Sequence, residues 1–269
     1  FVFHWGIAGA AWATVISQVV SACLLLIYFP RFKSVKFSLN DFIPQVHYLK
    51  RIISLGFASF IYQFSNMIVL ITTNNLLKFY GAKSIYGSDI PIAVFGIVMK
   101  INVIFIAIVL GLVQGAQPIF GFNYGAKNYH RVKESFLFTL KVGTSIMTVL
   151  AIIGFILSPK IMSWFISDLE VIKIGTNALR YQCLVMPLMT LGVLSNMTFQ
   201  AVGKPLHATF LTSCRQGIFF LPLIIILPKL FSLKGVEITQ PISDILTFII
   251  SIPFIYNFLK KLDYNNNAK

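Results

Sequence analysis

Long apolar runs, separated by short polar and basic stretches, dominate this chain. A membrane-spanning helix needs about 20 predominantly apolar residues. Seven segments reach that length: 7–29, 52–77, 91–115, 136–157, 176–200, 207–227 and 235–259. Pro30, Pro44, Pro91, Pro159, Pro205 and Pro228 fall at or between segment ends, where a missing N–H is harmless. Pro187, Pro222, Pro241 and Pro253 fall inside segments and predict kinks, tolerable where neighbours satisfy the freed carbonyls. The pattern predicts an all-α, polytopic membrane helix bundle.

Polar residues inside such segments recur at helical spacing. The second segment carries Ser59, Gln63, Asn66, Thr73 and Asn74; the fifth carries Gln182, Met186, Met189, Asn196 and Gln200. The sixth holds Thr209, Thr212 and Gln216, and the last holds Glu237, Gln240, Asp244, Thr247 and Ser251. Two readings fit each stripe: polar glue between packed helices, or one wall of a wet central cavity. Stripes on several helices favour a cavity, with Gln63, Asn66, Asn74, Gln182, Met186, Met189, Asn196, Gln200 and Asp244 as its candidate lining. Methionines among amides suit ligands of varied shape, because Met repacks.

Asp244 is the one carboxylate deep in a span, about 14 Å in from Gly235 at 1.5 Å per residue. Lys100 lies at matching depth after Pro91. A buried Asp244–Lys100 ion pair is one expectation; a proton or cation carried by Asp244 is the other. Arg180 and Arg215 lie nearer opposite faces and can snorkel or bond carbonyls.

Composition agrees with a bilayer setting. The chain is 57% hydrophobic and only 11% charged, with mean hydropathy +0.82. Soluble domains are about a quarter charged. The net charge of +14 resides between apolar runs rather than on one face, which argues against nucleic acid. Twelve Lys and Arg, from Arg31 to Lys269, lie in one set of loops and the tail, against six in the opposite set. Basic loops mark the cytoplasmic side, so the C-terminus is expected inside and residue 1 outside.

Cys23, Cys183 and Cys214 sit far apart in apolar segments and read as small buried hydrophobes. The four histidines show no ligand spacing, so neither metal nor catalytic residues are expected. The chain contains no HExxH, GxSxG or phosphate-binding loop, which argues against an enzyme or an ATP-driven pump.

Residues 30–51, RFKSVKFSLNDFIPQVHYLKRI, are basic and amphipathic and suit an interfacial linker. A weak repeat flanks them. Gly9, Ile16, Ser17 and Gln18 align without gaps to Gly235, Ile242, Ser243 and Asp244. Duplicated transporters carry such echoes between halves. If the offset is the half-length, the whole protein has roughly 450 residues and twelve spans, and this chain is one helix plus the second half.

The stretch Gly115–Lys133, GAQPIFGFNYGAKNYHRVK, leaves an apolar segment and is expected to turn at Gly121 and Gly125 before a basic helix start. It resembles the hallmark after the eighth helix of the multidrug and toxic compound extrusion (MATE) transporters, with Gln117, Pro118, Gly121, Asn123, Tyr124 and Gly125 as the motif residues. GIAGAAWATVISQ at Gly6–Gln18 is similar to that family's sixth helix, and FQAVGKP at Phe199–Pro205 to the turn after its tenth. Arg215-Gln216 with Pro222 resembles helix eleven, and PISD at Pro241–Asp244 helix twelve. The pattern is most similar to the bacterial DinF-like branch.

The resemblance implies two six-helix lobes around a V-shaped cavity, and export of drugs or toxins, often cationic, against protons or sodium by alternating access. It implies a multi-pass protein of the cell membrane, monomeric at full length. In its terms the chain divides into the last helix of the N-terminal lobe (1–29), a cytoplasmic amphipathic linker (30–51), a C-terminal six-helix lobe (52–259) and a cytoplasmic tail (260–269). That counts seven transmembrane helices of twelve, with the N-terminal lobe as the missing partner.

One departure matters. Some members hold coupling carboxylates in helices seven and ten, but 52–77 and 176–200 contain no Asp or Glu. In the branch resembled here the coupling carboxylate lies in the first helix, which this chain lacks. No organic cofactor is implied, and the fragment alone is expected not to transport. The alternatives are a flippase for lipid-linked sugars of the same superfamily, or a non-transporting membrane assembly protein.

Overall fold

The structure, a computed structural model, describes residues 6–28 and 45–267. Most of the linker expected at 30–51 therefore lies outside the described residues. The chain separates into two units, Phe1–Lys50 and Arg51–Lys269, and each is described by itself. Every regular element among the described residues is helical.

The first unit holds α1 (Gly6–Tyr28), whose large apolar side chains, from Trp12 to Ile27, are exposed. Helix α2 (Val46–Ala82) begins at the end of this unit and continues into the second. It bends by 44° between Ser54 and Ser59.

The second unit continues with α3 (Asp89–Gly125), α4 (Tyr129–Phe165), α5 (Leu169–Ala201), α6 (Pro205–Ser213), a π turn (Cys214–Ile218), α7 (Phe220–Phe231) and α8 (Leu233–Asn267). Among the described residues five spans are long and apolar enough to cross a membrane: α3, α4, α5, the broken helix Pro205–Phe231, and α8. The bent α2 makes a sixth. Among the described residues the seven-span expectation is met for five spans, or six with the bent α2, and α1, 23 residues long, has the length of a seventh.

Local sequence explains the boundaries. Asp168 caps α5, its Oδ1 accepting from the Glu170 and Val171 N–H groups at 2.8 and 3.4 Å. Gly203 ends α5 at φ +71°, a left-handed conformation that favours glycine. There Lys204 N–H donates to Phe199 O at 2.8 Å and Gly203 N–H to Gln200 O at 3.2 Å, a Schellman cap. Pro205 then opens α6, where a missing N–H costs nothing.

Helix α5 is the central helix. Of its most apolar stretch 61% is buried, against 22% for α4. Leu179, Met186 and Leu194 of α5 meet Val113 of α3, Met147 of α4 and Ile255 of α8 in one core. A second core joins Val69 and Leu77 of α2 to Phe220 and Ile224 of α7 and Val236 of α8. Helix α4 turns Gly143, Met147, Ala151, Gly154, Ser158 and Met162 inward, at spacings of four and three. A β-carbon on Gly143 would stand 2.8 Å from Thr190 Cγ2, and one on Gly154 2.9 Å from Cys183 Sγ. Close approach at small residues is how membrane helices gain van der Waals contact.

Candidate functional site

A cavity of about 240 Å³ opens in the second unit. Ser59 and Gln63 of α2 form one side, Ile106, Leu110 and Gln114 of α3 another. Helix α5 contributes Gly192, Val193, Asn196, Met197 and Gln200, and Leu211, Thr212, Arg215 and Thr247 complete the lining. Its polar character is mainly amide: the Gln200 Nε2 donates to Asn196 Oδ1 at 3.2 Å. Small-molecule sites commonly enclose roughly 300–1,000 Å³, so this lobe encloses less than a full drug-sized site.

The cation on that wall is Arg215, held by the π turn. There Phe219 N–H reaches past the usual carbonyl to Cys214 O at 3.0 Å. Such wide turns are frequent at functional sites. Arg215 Nε donates to Asp244 Oδ1 at 2.8 Å. Gln240 Nε2 donates to the same oxygen at 3.1 Å, and Gln182 Nε2 approaches Oδ2 at 3.4 Å. Ser243 Oγ donates to the Arg215 carbonyl at 2.6 Å, fixing the turn to α8. The Asp244 side chain is 1% exposed and that of Arg215 13%. The carboxylate therefore lies behind the guanidinium, which faces the cavity.

This corrects the expected Asp244–Lys100 pair. Lys100 is exposed on α3, while Asp244 takes Arg215 as its salt-bridge partner. Equal depth in two helices does not fix the direction in which each side chain points.

Of the expected cavity residues, the structure brings Gln63, Asn196 and Gln200 to the lining. Asp244 is one layer back. Gln182 lines a separate pocket of about 40 Å³, with Asn102, Glu237 and Gln240. Met186 and Met189 are buried, packed into the core. They do not line the cavity. Asn66 and Asn74 are half-buried and also off the lining. Sequence reading missed Gln114, an amide within the third apolar segment, whose position one turn before Gln117 was the available signal. Arg180, as anticipated, bonds across helices: its Nε donates to Ser158 Oγ at 3.1 Å and to Phe155 O at 3.4 Å.

The motif residues lie elsewhere. Gly121 and Gly125 do not turn the chain; α3 continues through both, with Pro118 inside it. The turn comes at Ala126–Asn128, where Lys127 adopts φ +56°. Asn128 N–H donates to Asn123 O at 2.9 Å and Lys127 N–H to Tyr124 O at 3.1 Å, a second Schellman cap. Gly121 instead permits close packing: a β-carbon there would meet the Ala201 carbonyl oxygen at 3.3 Å. Asn123 Nδ2 donates to Ile119 O at 2.8 Å. Tyr124 stacks edge-on with Tyr129, its ring centroid 5.8 Å away, and lies 6.3 Å from that of Phe258. Phe258 also meets Phe199 at 5.3 Å. The two motif turns are thus pinned together, at one end of the bundle, by aromatic rings.

Among the described residues no group of three or more His, Cys, Asp or Glu is placed to hold a metal ion. Cys183 and Cys214 are buried thiols, and Cys23 is exposed.

The family model MatE matches residues 54–226. The chain belongs to the MatE family. Its members are transporters rather than enzymes, and this one is a multi-pass membrane protein by its apolar helices. The chain is 24% identical over 257 residues to the multidrug export protein MepA of Staphylococcus saprophyticus, covering 95% of this chain and 55% of that protein. It is 26% identical over 258 residues to MepA of Staphylococcus aureus, with the same coverage. It spans about half the length of the curated relatives it matches.

Among solved structures, an outward-facing multidrug resistance MATE family transporter of the MOP superfamily superposes with TM-score 0.86. It is 23% identical, and the match covers 97% of this chain and 58% of that one. A MATE transporter in the straight conformation gives 0.86 at 22% identity, covering 98% and 59%. The all-α membrane fold of this family is therefore established for the chain.

Proposed function

We propose that the chain is the C-terminal lobe of a secondary active transporter exporting amphipathic, often cationic, compounds by alternating access. The observation that carries this reading is the cavity. Its polar groups are mainly amides, Gln63, Gln114, Asn196 and Gln200, and its arginine is charge-balanced by Asp244. Amides and aliphatic walls accept varied amphipathic shapes without fixing one hydrogen-bond pattern. A lipid-linked sugar carries phosphates and would call for uncompensated cations. The multidrug export function in the names of its relatives points the same way.

In this reading residues 52–259 form the lobe, residues 1–29 supply the last helix of the preceding one, and the C-terminus is cytoplasmic. Helices α2 and α5 carry no carboxylate within 52–77 and 176–200. Coupling to protons or sodium is accordingly assigned mainly to the rest of the whole transporter. The chain alone binds ligand without transporting it, and the transporter acts as a monomer in the cell membrane.

The test has two arms. Ethidium fluorescence anisotropy on the purified chain should show saturable binding, weakened several-fold by Gln200→Leu. Proteoliposomes carrying the chain joined to a preceding six-helix half should expel ethidium under an imposed proton or sodium gradient. Binding without efflux under either gradient would shift the assignment to a flippase. Loss of both in a folded sample would leave a non-transporting assembly protein.

A further inference from the structure

A second cavity, also about 240 Å³, lies at the end of the bundle where the two motif turns meet. Lys204 of the α5–α6 turn, His207 of α6, and Asn257 and Lys261 of α8 present its polar groups. Phe199, Phe254 and Phe258 form its apolar floor.

Three groups able to bear positive charge share one cavity, and among the described residues no carboxylate lines it. The nearest acid in sequence on α8, Asp263, is engaged elsewhere: Lys133 Nζ donates to its two oxygens at 2.8 and 2.7 Å. Lys204 is half-buried, its Nζ 4.6 Å from the Phe258 ring centroid and 5.9 Å from that of Tyr124. Cation–π contact steers the ammonium but supplies no counter-charge. Like charges in one partly desolvated cavity repel, and an anion that bridges them relieves that cost.

Position narrows the anion. Lys204 and Lys261 lie just beyond the ends of the apolar runs 176–200 and 235–259, where headgroups meet a membrane protein. An apolar floor beside a cationic rim fits a headgroup whose glycerol and first acyl carbons follow the phosphate inward.

We propose that Lys204, His207, Asn257 and Lys261 form a binding site for a phosphate group carrying net negative charge. Anionic phospholipid heads and soluble phosphates share that chemistry. Lys261 and Lys204 supply the charge, and the Asn257 amide and His207 imidazole supply directed donors. The turn that builds the site is the one fixed by Gly203, and its Phe258 floor also meets Tyr124 of α3, so the site couples lipid or phosphate binding to the clasp between α3, α5 and α8.

Native mass spectrometry of the detergent-purified chain tests this with three titrants: phosphatidylglycerol, phosphatidylcholine and inorganic phosphate. Phosphatidylglycerol should bind about tenfold more tightly than phosphatidylcholine. Lys261→Gln should abolish that preference, and Lys261→Arg should keep it. If phosphate displaces the lipid at equal concentration, the site holds and its ligand is a soluble phosphate. Equal binding of the two lipids, or a preference unchanged in both Lys261→Gln and Lys204→Gln/Lys261→Gln, would overturn the proposal.

Discussion

Arg215 Nε lies 2.8 Å from Asp244 Oδ1, and this single contact joins the π turn to the middle of α8. Both partners are largely removed from solvent, so each satisfies a charge that the bilayer interior would otherwise penalise heavily.

Removing one partner strands the other. Arg215→Met should destabilise the chain by about 3–5 kcal/mol, since it leaves an uncompensated buried carboxylate. Arg215→Met/Asp244→Leu should recover most of that loss. Thermal unfolding in detergent, read by circular dichroism, compares the two; equal losses would mean that the pair contributes nothing beyond packing.

The inward face of α4 depends on lacking side chains. Gly154→Ala would place its β-carbon 2.9 Å from Cys183 Sγ and 3.4 Å from Phe105 Cζ. Overpacking of this kind costs about 1–3 kcal/mol. Adding Cys183→Ala should restore part of the loss, because the nearest atom is then gone. Denaturant titration of the single and double variants measures both effects.

Gly203 occupies the left-handed seat of the α5 cap. Gly203→Ala has open space for its methyl group yet should still cost about 1–2 kcal/mol from backbone conformation alone. A melting temperature unchanged by this substitution would show that the turn has another accessible geometry.

Lys204 gives a pH signature in lipid-free detergent. Burial first, and then the neighbouring Lys261, lower its pKa from the ordinary 10.5. Between its folded pKa and 10.5 the unfolded chain binds more protons than the folded one, so stability rises with pH through that window. Below the folded pKa that contribution is absent. Lys261→Gln should shrink the rise, as it removes the like charge, and melting temperatures taken as the pH is raised toward the ordinary 10.5 would reveal the difference.

The spans were legible in the sequence because about 20 apolar residues in a row have few alternatives to crossing a bilayer. What lay inside them was less so. Met186 and Met189 share a helical stripe with Gln182 and Asn196, but α5 is central and buried on most sides. A stripe therefore cannot say which of several neighbours it faces. Depth along a helix paired Asp244 with Lys100, whereas direction around it decided for Arg215. Gly121 and Gly125 read as turn residues, but Gly121 serves contact with Ala201 and the left-handed seat fell to Lys127. Glycine marks both close approach and reversal, and only the fold separates the two.

A transmembrane voltage acts on net charge, at about 2.3 kcal/mol per elementary charge per 100 mV. Because Arg215 and Asp244 cancel, the pair feels that field only as a small dipole, and the lobe can tilt or shift around it at little electrical cost. Removing one partner alone would leave a single net charge at the same depth, and the membrane potential would then act on this wall of the cavity.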